Sequence, residues 1–188
     1  MAIEIVFETH SLSEDNDLGN ATGWNDGRLS ERGRGLAREL GARRHTNGIE
    51  AVFTSDLGRA VETVRIAFGG SSIPILLDWR LRECDYGDWN GAPVPQVHAD
   101  RIRYLDEAYP NGESWRQATR RVAAFLDDLL PRWDGQRVLV IGHVATLWGL
   151  EQRLHSATLE TQMATPFEWR EGWEFRYDPT ARSTTAEP

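Results

Sequence analysis

The sequence predicts an α/β fold: a three-layer α/β/α sandwich around a mostly parallel central sheet. Three observations carry that expectation. Short, β-branched apolar runs recur at Ile3–Phe7, Ile49–Thr54, Ile73–Leu77 and Val138–Ile141. Longer segments with apolar residues at helical spacing separate them. Several of these runs are apolar at consecutive positions, as in strands buried on both faces, and such strands joined by helices build parallel sheets through right-handed crossovers.

Each element follows from local chemistry. The first run, Ile3-Glu4-Ile5-Val6-Phe7, is a strand that ends at His10 and leads into a polar loop over Leu12–Arg28. A loop of that length inside a compact domain is usually functional or disordered. Ser30 then caps an amphipathic helix running to about His45, with Leu29, Leu36, Ala37 and Leu40 on one side. After the second strand, Ser55 or Asp56 caps a helix whose stripe is Leu57, Ala60, Val61, Val64 and Phe68, ended by Gly69-Gly70. Pro74 marks the third strand as a start or an edge.

Asp78–Pro95 reads as loop and Gln96–Tyr109 as a helix broken by Pro110-Asn111-Gly112. Ser114 and Gln117 form a capping box ahead of a helix with Trp115, Ala118, Val122, Phe125, Leu126 and Leu129 on one face. The fourth strand delivers His143 to the start of a helix that reaches about Leu154, and aromatic-rich Phe167–Tyr177 adds an edge strand or hairpin. One domain is expected over 1–177, with a loose tail over 178–188.

Composition narrows the partners. The chain has 188 residues and a net charge of −8, and all 21 of its basic residues are arginine. That balance argues against a nucleic-acid or acidic-membrane surface while leaving room for one local anion pocket. Cys84 is alone, so no intrachain disulfide forms. The first apolar run carries Glu4, and Val138–Leu150 is too short to span a bilayer, so a cytoplasmic location is expected.

The strand ends gather His10, Arg59, Glu83 and His143 at one edge of the sheet, where open α/β folds hold ligands. Arg59, near a helix start, opposes the macrodipole unless an anion shares its place. Taken singly, Arg59 reads equally well as a solvated surface arginine and His143 as a hydrogen-bonded core histidine. Glu83, between Arg80 and Arg82, also reads as a surface ion-pair partner.

Taken in order, the motifs resemble the histidine phosphatase superfamily, in its phosphoglycerate-mutase-like branch. The family's Arg-His-Gly signature falls on Thr9-His10-Ser11, and its following asparagine on Asn16. Thr22-Gly23-Trp24, Leu29-Ser30-Glu31-Arg32-Gly33 and Ser55-Asp56-Leu57-Gly58-Arg59-Ala60 match the next blocks. Leu81-Arg82-Glu83, Tyr86–Gly91, Pro110–Ser114, Arg121-Val122 and Val140-Ile141-Gly142-His143 complete them.

The resemblance implies a phosphoglycerate-mutase-like fold and a metal-independent phosphomonoesterase acting on a small phosphorylated metabolite, with no cofactor. It implies that His10 is the nucleophile, that Arg59 and His143 hold the phosphoryl oxygens, and that Glu83 is the general acid and base. Thr9, Ser11, Asn16, Thr22, Gly23 and Val144 would contact the substrate. No metal ligand set is expected.

Departures define the alternatives. Thr9 replaces the family arginine, and a lost charged hydrogen bond to phosphate costs ~1.5–3 kcal/mol. Glu8 either repels the phosphate or fixes another arginine such as Arg80 or Arg82. Ser11 and Val144-Ala145 stand where glycines are common. A degenerate phosphate- or ligand-binding module and a phosphoglycerate-type mutase are therefore the competing readings. Trp24, Trp89 and Trp115 are candidates for the mouth of the pocket or the core, and His98 and Tyr104 for a covering helix. The sequence assigns no oligomeric state.

Overall fold

The computed structural model describes residues 2–178. Five strands, β1 (Ile3–Thr9), β2 (Ala51–Thr54), β3 (Ile75–Leu77), β4 (Arg137–Gly142) and β5 (Trp173–Tyr177), form one sheet in the order β3-β2-β4-β1-β5. β1, β4, β2 and β3 are parallel, and β5 runs antiparallel along the outer edge of β1. The mostly parallel sheet expected from the sequence is present, and Phe167–Tyr177 contributes the edge strand β5. Beyond Asp178 the expected tail lies outside the described residues.

Alternation along the strands divides the interior in two. Ile5, Phe7, Val138 and Val140 face α5 (Trp115–Arg132) and α6 (Val144–His155). Val6, Val52, Leu139 and Ile141 face α2 (Glu31–Arg44) and α3 (Gly58–Phe68). Those two helical layers with the sheet between them are the three-layer sandwich. Each fully buried aliphatic side chain contributes roughly 1.5–3 kcal/mol. A one-residue slip of β1 would exchange such side chains for Glu4 and Glu8, which pins the register that carries His10.

β4 lies between β1 and β2, although it follows both in sequence. The chain leaves β1 toward α2 on one face and leaves β4 into α6 on the other. The connections therefore diverge at the carboxyl ends of two neighbouring strands, which opens a crevice there.

Several local expectations are corrected. The 12–28 loop holds a short helix, α1 (Glu14–Leu18), closed by a Ser13–Asn16 capping box and left-handed Gly19. The helix expected over 96–109 is instead α4 (Val94–His98) and a separate 3-10 turn, Arg101–Leu105. The break at Asp100 lets Tyr104 stack on Tyr109 at 4.0 Å between centroids. A further helix, α7 (Leu159–Ala164), is capped by Thr158. Ser30 and the Ser114–Gln117 box cap α2 and α5 as the sequence predicts. α3 is different: its cap position is Leu57, which makes no side-chain hydrogen bond. The expected caps are engaged elsewhere, Ser55 with His143 and Asp56 with Arg82. Among the described residues, no helix is long and apolar enough to cross a membrane.

Candidate active site

The β1–β4 register carries both histidines to the same level. Thr9 pairs with Gly142, and the His10 amide continues the ladder by donating to the Gly142 carbonyl at 2.9 Å. The two imidazole rings lie 4.9 Å apart, centroid to centroid. Arg59 reaches them from the first turn of α3. Its Nε donates to His10 Nε2 and its Nη2 to His143 Nδ1, both at 3.2 Å. Its remaining hydrogen bonds go to the carbonyls of Gly23 at 2.9 Å and Asn25 at 3.2 Å.

Arg59 is only 2% exposed. Among the described residues no carboxylate forms an ion pair with it. Buried charges in proteins are ordinarily paired, because an unpaired one gives up hydration without return. The guanidinium thus stands between two neutral rings with its hydrogen bonds spread over neutral acceptors. The foremost compensating charge on it is the Glu83 carboxylate, which acts at a distance without an ion pair. Gly23 makes this geometry possible: its φ is +55°, and a Cβ there would strike the Asn90 side chain.

Hydrogen bonds assign the tautomers. A carbonyl only accepts, so His10 Nδ1 donates its proton to Ser11 O at 2.7 Å, leaving the Nε2 lone pair facing the cleft. A guanidinium only donates, so His143 Nδ1 is an acceptor and Nε2–H donates to Ser55 Oγ at 2.7 Å. Burial, and then the charge of Arg59, lower the pKa of His10 to about 3. The same causes, in the same order, hold His143 well below the ordinary histidine range. Both rings are neutral at physiological pH in the free protein, and His10 Nε2 is an available nucleophile.

Glu83 lies across the cleft, at the start of α6. Its Oε1 accepts from the amides of Cys84 at 2.8 Å and Ala145 at 3.1 Å, and Oε2 from Val144 at 3.3 Å. Burial raises its pKa, and those hydrogen bonds with the charges of Arg59 and Arg121 only partly offset the rise. A carboxyl so placed holds its proton to higher pH than a surface glutamate. Its main chain is clamped: the Glu83 carbonyl accepts from Trp24 Nε1 and Arg121 Nη2, both at 2.7 Å. Arg121 also holds the carbonyls of Arg80 and Arg82, and pairs with Glu113.

A cleft of ≈ 370 Å³ brings His10, Arg59, Glu83 and His143 together with Thr9, Asn16, Thr22, Gly23 and Val144. Ser11 is not part of that lining; its amide donates to Thr63 Oγ1 at 3.1 Å. Asn16 Oδ1 also accepts from the Ser13 amide at 3.0 Å. Of the aromatic candidates, Trp115 borders the cleft, whereas Trp24 holds Glu83 and Trp89 packs on Tyr104 and Tyr109. His98 reaches the cleft and Tyr104 is buried in the aromatic core.

Two expectations about charge are corrected. Glu83 pairs with neither neighbouring arginine: Arg80 takes Asp78 and Asp128, and Arg82 takes Asp56. Glu8 does fix another arginine, but not Arg80 or Arg82. It is buried and accepts from Arg44 Nε at 2.8 Å, with Arg43 at 3.5 Å. Its strand position faces α2, which carries those two arginines.

The sequence reading gives no role at the site to Arg121, to the Asn25 carbonyl or to Ser55, which it places as a helix cap. For Arg121 a signal existed: it sits on the apolar stripe of α5, between Ala118 and Phe125, where an arginine must find buried acceptors. Among the described residues, no group of three or more His, Cys, Asp or Glu side chains is placed to hold a metal ion.

Comparison with known proteins identifies a family. The model of the histidine phosphatase superfamily (branch 1) matches residues 5–180. The 2,3-bisphosphoglycerate-dependent phosphoglycerate mutase of Parvibaculum lavamentivorans is 35% identical over 176 residues, covering 85% of this chain and 83% of that protein. The structure of Bacillus stearothermophilus YhfR superposes with a TM-score of 0.80 at 28% identity, over 92% of this chain and 90% of that one. The mycobacterial glucosyl-3-phosphoglycerate phosphatase Rv2419c gives a TM-score of 0.72 at 25% identity, over 87% and 84% of the two chains.

Proposed function

This chain belongs to the histidine phosphatase superfamily (branch 1), and we propose that it is a metal-independent phosphomonoesterase for a small phosphorylated metabolite. One observation carries the reading: a buried guanidinium bridges the facing nitrogens of two neutral imidazoles. A tetrahedral dianion at that point exchanges its hydration for donors already aimed at it.

The reaction follows from the proton positions. An incoming phosphoryl group displaces Arg59 from His10, and the Nε2 lone pair forms the N–P bond as the ester P–O bond breaks. Ser11 O keeps hold of the Nδ1 proton while positive charge develops on the ring. Arg59 neutralises the oxygens together with His143, whose Nδ1 takes the proton that a monoanionic ester carries and returns it to the departing phosphate. Glu83 gives its proton to the departing alkoxide, then takes one from the water that attacks the phosphohistidine. Phosphate leaves and His10 returns to its starting state.

A second reading, a mutase, is favoured by the names of curated relatives such as that of Parvibaculum lavamentivorans. The charge of the cleft favours hydrolysis. Among its lining residues only Arg59 and Arg101 are fixed cations, and Arg101 donates to the Met163 carbonyl and lies over Trp148. A phosphoglycerate needs partners for a carboxylate as well as a phosphate, and a bisphosphoglycerate for two phosphates besides.

Phosphate release from a panel of esters in EDTA, run beside a phosphoglycerate interconversion assay, separates the readings. The account predicts release that EDTA leaves intact and His10→Ala abolishes. Interconversion without net release would establish the mutase, and tight phosphate binding with neither activity would leave a binding module.

A further inference from the structure

A second cavity, of ≈ 530 Å³, adjoins the first and shares Thr9, His10, Leu12 and Trp169 with it. Its lining takes in Leu36 and Leu40 of α2 together with Arg32 and Glu39 of the same helix, and it ends against Glu8, Arg43 and Glu171. The charges at that end cancel: Glu8 holds Arg44 and Arg43, and Arg43 Nη1 also faces Glu171 at 3.7 Å. Trp169, at the junction, is 56% exposed. The groove thus has a leucine wall, an end whose opposite charges are paired and an aromatic ring open to a ligand.

Thr9 stands where the two cavities meet. An arginine there, as in the Arg-His-Gly signature, would put a cation in the passage. Threonine leaves it short and uncharged. Glu83 lines the first cavity only, so the ester oxygen departs there and the rest of the alcohol must turn beneath Trp169, past Thr9, to reach the groove.

We propose that this groove is the alcohol subsite, and that it selects phosphate monoesters whose alcohol is extended, uncharged and largely apolar. The assignment rests on the phosphatase reading for its chemistry, but it can be tested by binding alone. Loss of the arginine at position 9 then trades phosphate affinity for selectivity toward the alcohol.

The experiment is calorimetric titration of the full chain with methylphosphonate and n-hexylphosphonate, neither of which can be hydrolysed to phosphate at the C–P bond. Five added methylenes at roughly twofold each, for partial burial, predict about 30-fold tighter binding of the hexyl ligand. Leu36→Trp fills the groove from the half-buried face of α2 and should cut that ratio below about threefold. Should that variant not fold, Leu36→Ser removes the same apolar wall and must also lower the ratio. Equal affinities in the wild type, or a preference that survives the Leu36 substitutions, would overturn the assignment. Phosphate release from n-hexyl phosphate decides the phosphatase reading separately. A protein that releases none, yet prefers the hexyl ligand through Leu36, keeps the groove and loses the reading.

Discussion

Ser55→Ala isolates what a hydroxyl outside the reacting atoms contributes. Ser55 is fully buried, and its Oγ accepts the His143 Nε2 proton at 2.7 Å. Alanine leaves that buried N–H without a partner, a cost of ~1–3 kcal/mol. For a chain of this size that corresponds to a fall in Tm of about 3–10 °C. Catalysis should fall as well. With the acceptor gone, the other His143 tautomer competes, and that form turns Nδ1–H toward the Arg59 guanidinium. If ~1.4 kcal/mol of the loss is felt in the transition state, kcat/KM drops about tenfold. The assay is a double-mutant cycle: melting temperature and kcat/KM on p-nitrophenyl phosphate for Ser55→Ala and His143→Ala, singly and together. In the His143→Ala background, Ser55→Ala should cost little further activity. An equal loss in both backgrounds would show that Ser55 does not act through His143, and wild-type stability in the single variant would refute the buried hydrogen bond itself.

Three further outcomes follow from the same geometry. Glu83→Gln should slow alkyl phosphates at least a hundredfold while slowing p-nitrophenyl phosphate much less, because only a poor leaving group needs the proton; equal losses in kcat/KM would remove Glu83 from the acid role. Thr9→Arg should tighten inorganic phosphate binding about tenfold or more through a charged hydrogen bond, read by calorimetry; unchanged affinity would show that position 9 does not face the anion. With respect to pH, the free protein keeps His10 neutral down to about 3, whereas the unfolded chain protonates it near 6.5. The unfolded state binds the extra proton in that window, so stability falls as pH drops through it, by about 1 kcal/mol per pH unit for this residue. Urea titrations at pH 7 and pH 5 should show a larger loss in the wild type than in His10→Ala; identical losses would contradict a buried neutral imidazole.

Much of the frame was legible because single residues reported it. The apolar runs ending at His10 and His143 gave two neighbouring strands, and Ser30 and Ser114 announced the starts of α2 and α5. What escaped was mostly partner choice across the fold. Every basic residue is an arginine, so nothing local told Glu8 to choose Arg44 over Arg82. That choice belongs to which face of β1 meets α2. Ser55 misled for a related reason: its position suits a helix cap, but the hydroxyl is recruited by a histidine 88 residues away. The helix expected over 96–109 is interrupted at Asp100, and Tyr104, beyond the break, stacks on Tyr109. α1 carries its own local signature: Ser13, Asn16 and Gly19 form a complete start and stop around one short turn.

The central claim is that His10 Nε2 takes the phosphoryl group. Its most direct test is rapid acid-free quenching during turnover, followed by mass spectrometry of the peptide that contains residue 10. The account predicts a transient phosphoryl adduct on His10, stable in base, labile in acid and absent from His10→Ala. Turnover that proceeds with no adduct there, or with the phosphoryl group on another side chain, would contradict it.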